Sequence, residues 1–233
     1  MEKSKLLNFI NKYSLNGLCN TVKLNSKNRG LITNFISDDK STLGMVAVKG
    51  INFPEGQFGI YNTKALVKIL GALQSEFELE VGGKNEFLNF KDEHLSAKFM
   101  LAKLDIIPDA PSTQNIPSAD FEFDINSLFI DKYIKSKGAI EESNNVAFTT
   151  EDGKVVMIIN YAQHNTDRIT ISTAVEYDID KPLLFNADML KEVLLANKDC
   201  TSGKIMVSAQ GIMICQFQAE DIASKYYLVM LES

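Results

Sequence analysis

The sequence predicts an α+β fold built as two tandem copies of one unit. Three observations carry this. Two near-identical pentapeptides, FINKY at Phe9–Tyr13 and FIDKY at Phe129–Tyr133, lie 120 positions apart in a chain of 233 residues. The segments after each copy keep the same order of helix and strand patterns. A proline-bearing stretch separates the two series. At this length the chain can hold two units of about 115 residues, each able to bury its own core.

Each series opens on a helix. Ser4–Ser14 sets Leu6, Leu7, Ile10 and Tyr13 on one side, with Lys5, Asn8 and Lys12 opposite. In Asn126–Lys137, Asn126 reads as an N-cap, Phe129, Ile130, Tyr133 and Ile134 are apolar, and Lys132 and Lys135 are polar. Strand-like runs follow: NTVKLNS, GLITNFIS and TLGMVAV in the first copy, NVAFTT, KVVMIIN and RITISTAVEY in the second. Asp152-Gly153 between two of these predicts a type I′ hairpin, because both residues tolerate positive φ. Arg168–Tyr177 alternates apolar and polar residues, which predicts a strand with one face buried.

A second helix comes next. IYNTKALVKIL (Ile60–Leu70) matches LFNADMLKEVL (Leu184–Leu194) at an offset of 124, with a strand ending at Asn62 or Asn186. Each copy closes on three strands, and FKDEHLSAKFML (Phe90–Leu101) matches FQAEDIASKYYL (Phe217–Leu228) at an offset of 127. The predicted boundaries are residues 1–104 for the first domain, 105–120 for a connector and 121–233 for the second domain. Pro108, Pro111 and Pro117 deny donors to a ladder, so the connector is semi-extended.

Hydrophobic residues are 45% and charged residues 23%, a globular balance. Cys19, Cys200 and Cys215 are odd in number and far apart, and form neither a CxxC motif nor a disulfide framework. The basic start is interrupted at once by Asn8, Asn11 and Lys12, so it reads as neither signal peptide nor membrane span. The expectation is a soluble protein of a reducing, cytoplasmic compartment.

No motif supplies catalysis. His94 sits in an acidic turn and His164 in the polar loop YAQHNTD, neither with a partner at metal-ligand spacing. VGGKNE (Val81–Glu86) contains Gly-Gly-Lys but joins two strands and opens no helix, so it reads as a hairpin turn instead of a phosphate loop. No nucleophile elbow and no HExxH pattern occur. The chain is read as a non-enzyme, with no catalytic residue, metal or cofactor.

Charge is sorted by element. Formal charge is +3 on Lys3–Ser14, +2 on Asn62–Gln74, +2 on Asn126–Gly138 and zero on Asn186–Lys198. With −6 overall, the helices carry +7 and everything else −13. Lys64 and Lys68 are four apart, Lys132 and Lys135 three, and Lys5 and Lys12 seven, so each pair lies on one helix face. Exposed helix faces often carry lysine, which accounts for the spacing but poorly for the acidic remainder. Basic helices and acidic sheets suit sequence-independent contact with phosphates.

Duplicated helix–sheet units, basic helices, acidic sheets and a proline-bearing connector together resemble the DNA sliding clamps. Two-domain length places the resemblance with the T-even-type bacteriophage clamps and proliferating cell nuclear antigen. KYYLVMLES (Lys225–Ser233) resembles that antigen's closing strand, and KFMLAKLDIIPDAP (Lys98–Pro111) its passage into the connector. The resemblance implies a homotrimeric ring of six similar domains, helices lining the hole and sheets forming the wall. Leu95–Leu104 of one copy would pair with Arg168–Tyr177 of the next.

On this resemblance the protein is a polymerase processivity factor that encircles duplex DNA and also engages a clamp loader. In a viral setting, suggested by the Lys-, Asn- and Ile-rich composition, this would be in the host cytoplasm. Lys5, Lys12, Lys64, Lys68, Lys132, Lys135, Lys191 and Lys198 would face DNA phosphates, although Asp188 and Glu192 cancel the lysines of the last helix. A partner-peptide pocket would use Leu43, Ile106, Ile107, Pro108, Pro182, Tyr227, Val229 and Met230, of which Tyr227 and Val229 equally suit ordinary strand packing. Two other readings stay open. A β-rich oligomeric structural or assembly subunit, as of a virion, would share the duplication without DNA encirclement, but gives lysines no reason to collect on helices. An enzyme with an unrecognised site would need paired titratable groups in a deep pocket.

Overall fold

A computed structural model describes residues 1–113, 115–162, 164 and 167–231. Gln114 of the expected connector, three residues of the His164 loop and the closing Glu232 and Ser233 lie outside the described residues. The chain is α+β and divides into two compact units. One comprises Met1–Pro111 with Asp221–Ser224, the other Ser112–Glu220 with Lys225–Ser233.

The first unit runs α1 (Lys3–Ser14), β1 (Val22–Lys27), β2 (Gly30–Ile36), β3 (Thr42–Lys49), β4 (Gly56–Ile60), α2 (Thr63–Ala72), β5 (Glu78–Gly82), β6 (Phe87–Lys91) and β7 (Ser96–Met100). Its strands order as β4-β1-β2-β3 and β5-β6-β7, antiparallel throughout. The second runs β8 (Phe121–Ile125), α3 (Ser127–Ala139), β9 (Asn145–Glu151), β10 (Lys154–Ile159), β11 (Ile169–Glu176), β12 (Leu183–Asn186), α4 (Ala187–Ala196), β13 (Ser202–Ser208), β14 (Ile212–Ala219) and β15 (Ile222–Val229). Its strands order as β11-β10-β9-β12 and β15-β14-β13-β8. The element order repeats as the sequence predicts, with one addition: β8 precedes α3 and was not evident as a strand.

The repeated pentapeptide has a structural purpose. Tyr13 and Tyr133 are fully buried, and each hydroxyl reaches the first residue of its unit's second helix. The Tyr133 hydroxyl donates to the Ala187 carbonyl at 3.1 Å. The Tyr13 hydroxyl lies 3.3 Å from Thr63 Oγ1. Thr63 Oγ1 spends its own hydrogen on the Asn20 carbonyl, so Tyr13 is the donor. Burial pushes both phenol pKa values up, keeping each proton in place to donate. Around these tyrosines, Phe9, Ile10 and Leu70 fill the first core, and Ile130, Leu190 and Leu194 the second, all at 0% exposure. Each such side chain adds roughly 1.5–3 kcal/mol of burial. A string of edge-on rings, Phe121–Phe148 at 5.7 Å and Phe148–Phe185 at 5.9 Å, fills the space between the second unit's sheets.

Helix starts follow the asparagines. Asn62, Asn126 and Asn186 accept hydrogen bonds from the backbone N–H of Ala65, Phe129 and Met189 at 2.9, 3.0 and 2.9 Å. The hairpins form where expected. Asp152 and Gly153 take φ of 51° and 74°, and Gly83, Lys84 and Asn85 take 63°, 56° and 69° in the turn from β5 to β6. The strand predicted at Arg168–Tyr177 keeps its alternation but carries one irregularity. Its register against β10 slips between Lys154 and Val156, and Ala174 sits at φ 61°. The alternation survives this bulge: Ile171 is buried and Thr173 and Val175 are half-buried, with Ser172, Ala174 and Glu176 exposed between them.

Tyr133→Phe is expected to lower the unfolding free energy by about 1 kcal/mol, and Asn126→Ala by about 1 kcal/mol. Leu190→Ala should cost about 2–5 kcal/mol, because a fully buried side chain leaves a cavity. Urea unfolding followed by circular dichroism checks all three.

Candidate nucleic-acid and partner-binding surfaces

With Phe9, Ile10 and Tyr13, and Ile130 and Tyr133, turned inward, the opposite helix faces are wet. In the first unit Lys64 and Lys68 of α2 are exposed. Lys64 drapes over Gly17, where a Cβ would lie 2.3 Å from its Cε. Lys5 is half-buried and its Nζ meets Asp221 at 2.6 Å. Lys12 departs from expectation. It is 1% exposed, because α1 packs against both β3 and α2 and its last turn is enclosed. There its charge complements the helix C-terminus.

In the second unit Lys132 and Lys135 of α3 are exposed and Lys191 of α4 is half-buried. Two ion pairs join α3 to α4 at opposite ends. Lys198 meets Asp131 and Lys137 meets Asp188, each at 2.8 Å. Lys137 is buried and also donates to the Glu141 carbonyl at 2.8 Å. The hydrogen bond from Lys198, with help from Lys135, holds the Asp131 carboxyl below its ordinary pKa. Of the eight lysines expected on a phosphate-facing surface, Lys64, Lys68, Lys132 and Lys135 are exposed, Lys191 is half-buried, Lys5 and Lys198 are engaged with carboxylates, and Lys12 is enclosed. Two exposed leucines on the same helices escaped the sequence reading: Leu128 at 75% and Leu195 at 44%. Each lies three residues before a member of the Asp131–Lys198 pair, and that spacing was the available signal.

The residues expected in a peptide pocket fall on both units. In the first, Leu43 on β3 is half-buried, Ile106 is 59% exposed and Pro108 is exposed. Ile107 is 2% exposed and is a correction to its expected part. It anchors the chain after β7 onto β4, where a Cβ on Gly59 would meet Ile107 Cδ1 at 2.8 Å and the Ala102 carbonyl oxygen at 2.4 Å. In the second unit Pro182 and Tyr227 are half-buried, and Lys225 Nζ stands 5.2 Å from the Tyr227 ring centroid. Val229 and Met230 are 49% and 38% exposed. The closing segment is tied down by backbone bonds from Met230 to Gly211 and from Leu231 to Leu184, each 2.8 Å.

The outer edges of β7 and β11 end their sheets. Met100 on β7 is 60% exposed.

Potential catalytic groups are poorly set for chemistry. Burial pushes the Cys19 thiol up to about 12 and raises Cys215 further, so both stay protonated. His94 is exposed beside Glu93, and Asp92 caps this turn by accepting the N–H groups of His94 and Leu95. Among the described residues no group of His, Cys, Asp and Glu could hold a metal ion, and no helix is long and apolar enough to cross a membrane.

Solved structures place this architecture. The fold is that of the two-domain DNA sliding clamps. The proliferating cellular nuclear antigen of Entamoeba histolytica aligns over 100% of this chain and 97% of its own, with a TM-score of 0.75 at 18% identity. The A. fulgidus PCNA, solved with the C-terminal region of FEN-1, aligns over 100% and 98%, with a TM-score of 0.78 at 16% identity. A PCNA2–PCNA3 complex from Sulfolobus tokodaii gives 99%, 97%, 0.74 and 14% in the same measures. No family model and no curated relative matches the chain.

In a carbon-detected NMR titration, the Asp131 carboxyl should ionise below the ordinary aspartate range and move up in Lys198→Met. Its lowered pKa means that the pair's stabilisation is complete above the unfolded-state value and is lost as pH falls through the folded-state value.

Proposed function

We propose that this chain is a DNA sliding clamp: a non-enzymatic processivity factor that encircles duplex DNA as a homotrimer and tethers a replicative polymerase. The observation that carries the reading is a clamp fold along the whole chain in which exposed lysines collect on the helices. A closed ring needs free sheet edges on each copy. β7 of one copy would pair with β11 of the next, joining sheets between chains and removing two open edges at once. The S. tokodaii complex, in which two clamp subunits assemble with one another, supports association through this fold.

Lys64, Lys68, Lys132, Lys135 and Lys191 are the residues proposed to carry the phosphate contact. Long exposed side chains without fixed geometry suit sliding, because no contact specifies a base. Lys5 and Lys198 would contribute only after exchanging a carboxylate for a phosphate. Dissociation then depends on ring opening instead of on the strength of each contact, and tethering raises the polymerase's effective concentration at the primer.

The A. fulgidus clamp binds the C-terminal region of FEN-1. By analogy, a partner peptide of polymerase or clamp loader would be received by Leu43, Ile106, Pro108, Pro182, Tyr227, Val229 and Met230. Ile107 would act as the anchor beneath. Ile106 on the first unit and Val229 and Met230 on the second are each exposed, and methionine repacks readily around different partners. A few such anchors, less the cost of ordering the peptide, give affinities in the micromolar range. The work of such a clamp is done on DNA in the cytoplasm, or in the host cytoplasm if its source is a bacteriophage.

Light scattering across a dilution series should give a species near three times 26.0 kDa. A strict monomer at tens of micromolar would overturn the ring. A loaded clamp should persist on circular DNA and run off when the circle is cut. Lys64→Glu with Lys68→Glu should abolish polymerase stimulation while leaving the trimer intact. The slope of log binding constant against log salt should fall by about 0.9 for each lysine that contacts a phosphate.

A further inference from the structure

The two units differ at one sheet edge, and the difference has a chemistry. In the second unit β8 covers the edge of β13. It pairs antiparallel, with Ile125 opposite Gly203, Asp124 opposite Lys204, Phe123 opposite Ile205 and Phe121 opposite Val207. Phe121, Phe123 and Ile125 turn into the core, while Glu122 and Asp124 turn outward to Lys204 at 2.5 and 3.9 Å. Ile205 and Val207 are sealed at 0% exposure beneath it.

In the first unit the equivalent edge belongs to β5. Leu79 pairs with Phe90 as Gly203 pairs with Phe217, which sets Leu79, Glu80 and Val81 in the places of Gly203, Lys204 and Ile205. Among the described residues only Met1–Lys3 lies along this edge. It makes one bridge, Glu2 to Glu76, with bonds from Lys3 N to Ser75 O at 2.9 Å and from Phe77 N to Met1 O at 3.1 Å. Antiparallel alternation turns the N–H and C=O of Leu79 and Val81 to the same side as those of Phe77. Leu79 and Val81 are half-exposed, where Ile205 in the second unit is sealed.

The charge is also reversed. Lys204 is replaced by Glu80, and Glu78 is exposed beside it on the same face. A cleft of about 410 Å³ at the start of the edge is lined by Glu76, Glu78, Asp92 and Glu93, with Met1, Phe77 and one cation, Lys91, so carboxylates predominate. We infer that the β5 edge is a strand-addition site for a basic, extended segment of a partner protein. The segment lies antiparallel to β5 with apolar residues alternating with Lys or Arg. Main-chain bonds to Leu79 and Val81 hold it, its apolar residues cover their side chains, and its cations face Glu80 and Glu78. Four carboxylates against the single Lys91 disfavour nucleic acid as the occupant. The inference does not depend on the clamp reading.

The test uses the full chain and labelled peptides in fluorescence anisotropy. A peptide carrying Phe-Lys-Phe-Lys-Ile, the charge-reversed β8, should bind saturably, and a scrambled peptide of the same composition should not. Glu80→Lys should weaken it by about fivefold, as loss and reversal of an exposed ion pair allow. The same variant should favour Phe-Glu-Phe-Asp-Ile instead. Val81→Pro removes an outward donor without breaking the ladder to β6, so it should abolish binding with unfolding unchanged. Absence of saturable binding, equal binding of the scrambled peptide, or indifference to both variants would overturn the assignment.

Discussion

In each unit one buried tyrosine hydroxyl ties the first helix to the second. Tyr13 and Tyr133 cannot leave a phenol donor unpaired at zero exposure, so each must find an acceptor. The acceptor lies at the first turn of the second helix, Thr63 in one unit and Ala187 in the other. That bond, with the apolar packing around it, holds the first helix against the start of the second. Burial of the apolar stripe decides which side chains remain outside. Once Phe9, Ile10 and Tyr13 are in, Lys64 and Lys68 of the neighbouring helix are left to solvent. The same holds for Lys132 and Lys135 once Ile130 and Tyr133 are in.

The duplicated architecture is not used identically twice. In the second unit two ion pairs clasp α3 to α4, and they withdraw Lys137 and Lys198 from the solvent charge. In the first unit the lysines of α2 have no such clasp among the described ion pairs, and Lys5 instead meets Asp221. The helix charge counted along the sequence therefore overstates the charge available to a polyanion. What is available is carried by α2 and α3, with Lys191 in a secondary position. Of these pairs, Lys198–Asp131 lies at the surface, where an ion pair contributes little to stability and exchanges readily.

Sheet edges set the remaining possibilities. β7 and β11 end their sheets, and an antiparallel edge presents unsatisfied donors and acceptors. The Ala174 bulge lies on one of these edges and increases its twist, which restricts what can pair with it. The edge of β4 is met at Gly59 by Ala102 and sealed by Ile107, and Gly59 is required because any Cβ there would collide with both. The β5 edge differs from its repeat partner in carrying glutamate where β13 carries lysine. Duplication kept the ladder and changed the charge that reads it.

Periodicity, asparagine caps and turn residues are local properties, so the sequence alone determined the α+β class, the duplication, four helices, two hairpins and nearly all strands. It also located the lysines on helices, since composition by element needs no coordinates. It could not show which of them are free. Lys12 follows Lys5 at a spacing that shares one helix face, yet packing of α1 on β3 and α2 encloses it. Ile107 lies in a proline-bearing stretch that reads as open connector, yet it fills the space left by Gly59. The strand at Phe121–Ile125 was hidden by its brevity, and the bulge at Ala174 by intact alternation. Burial, register and partner choice depend on residues far apart in the chain, and only the tertiary structure brings those together.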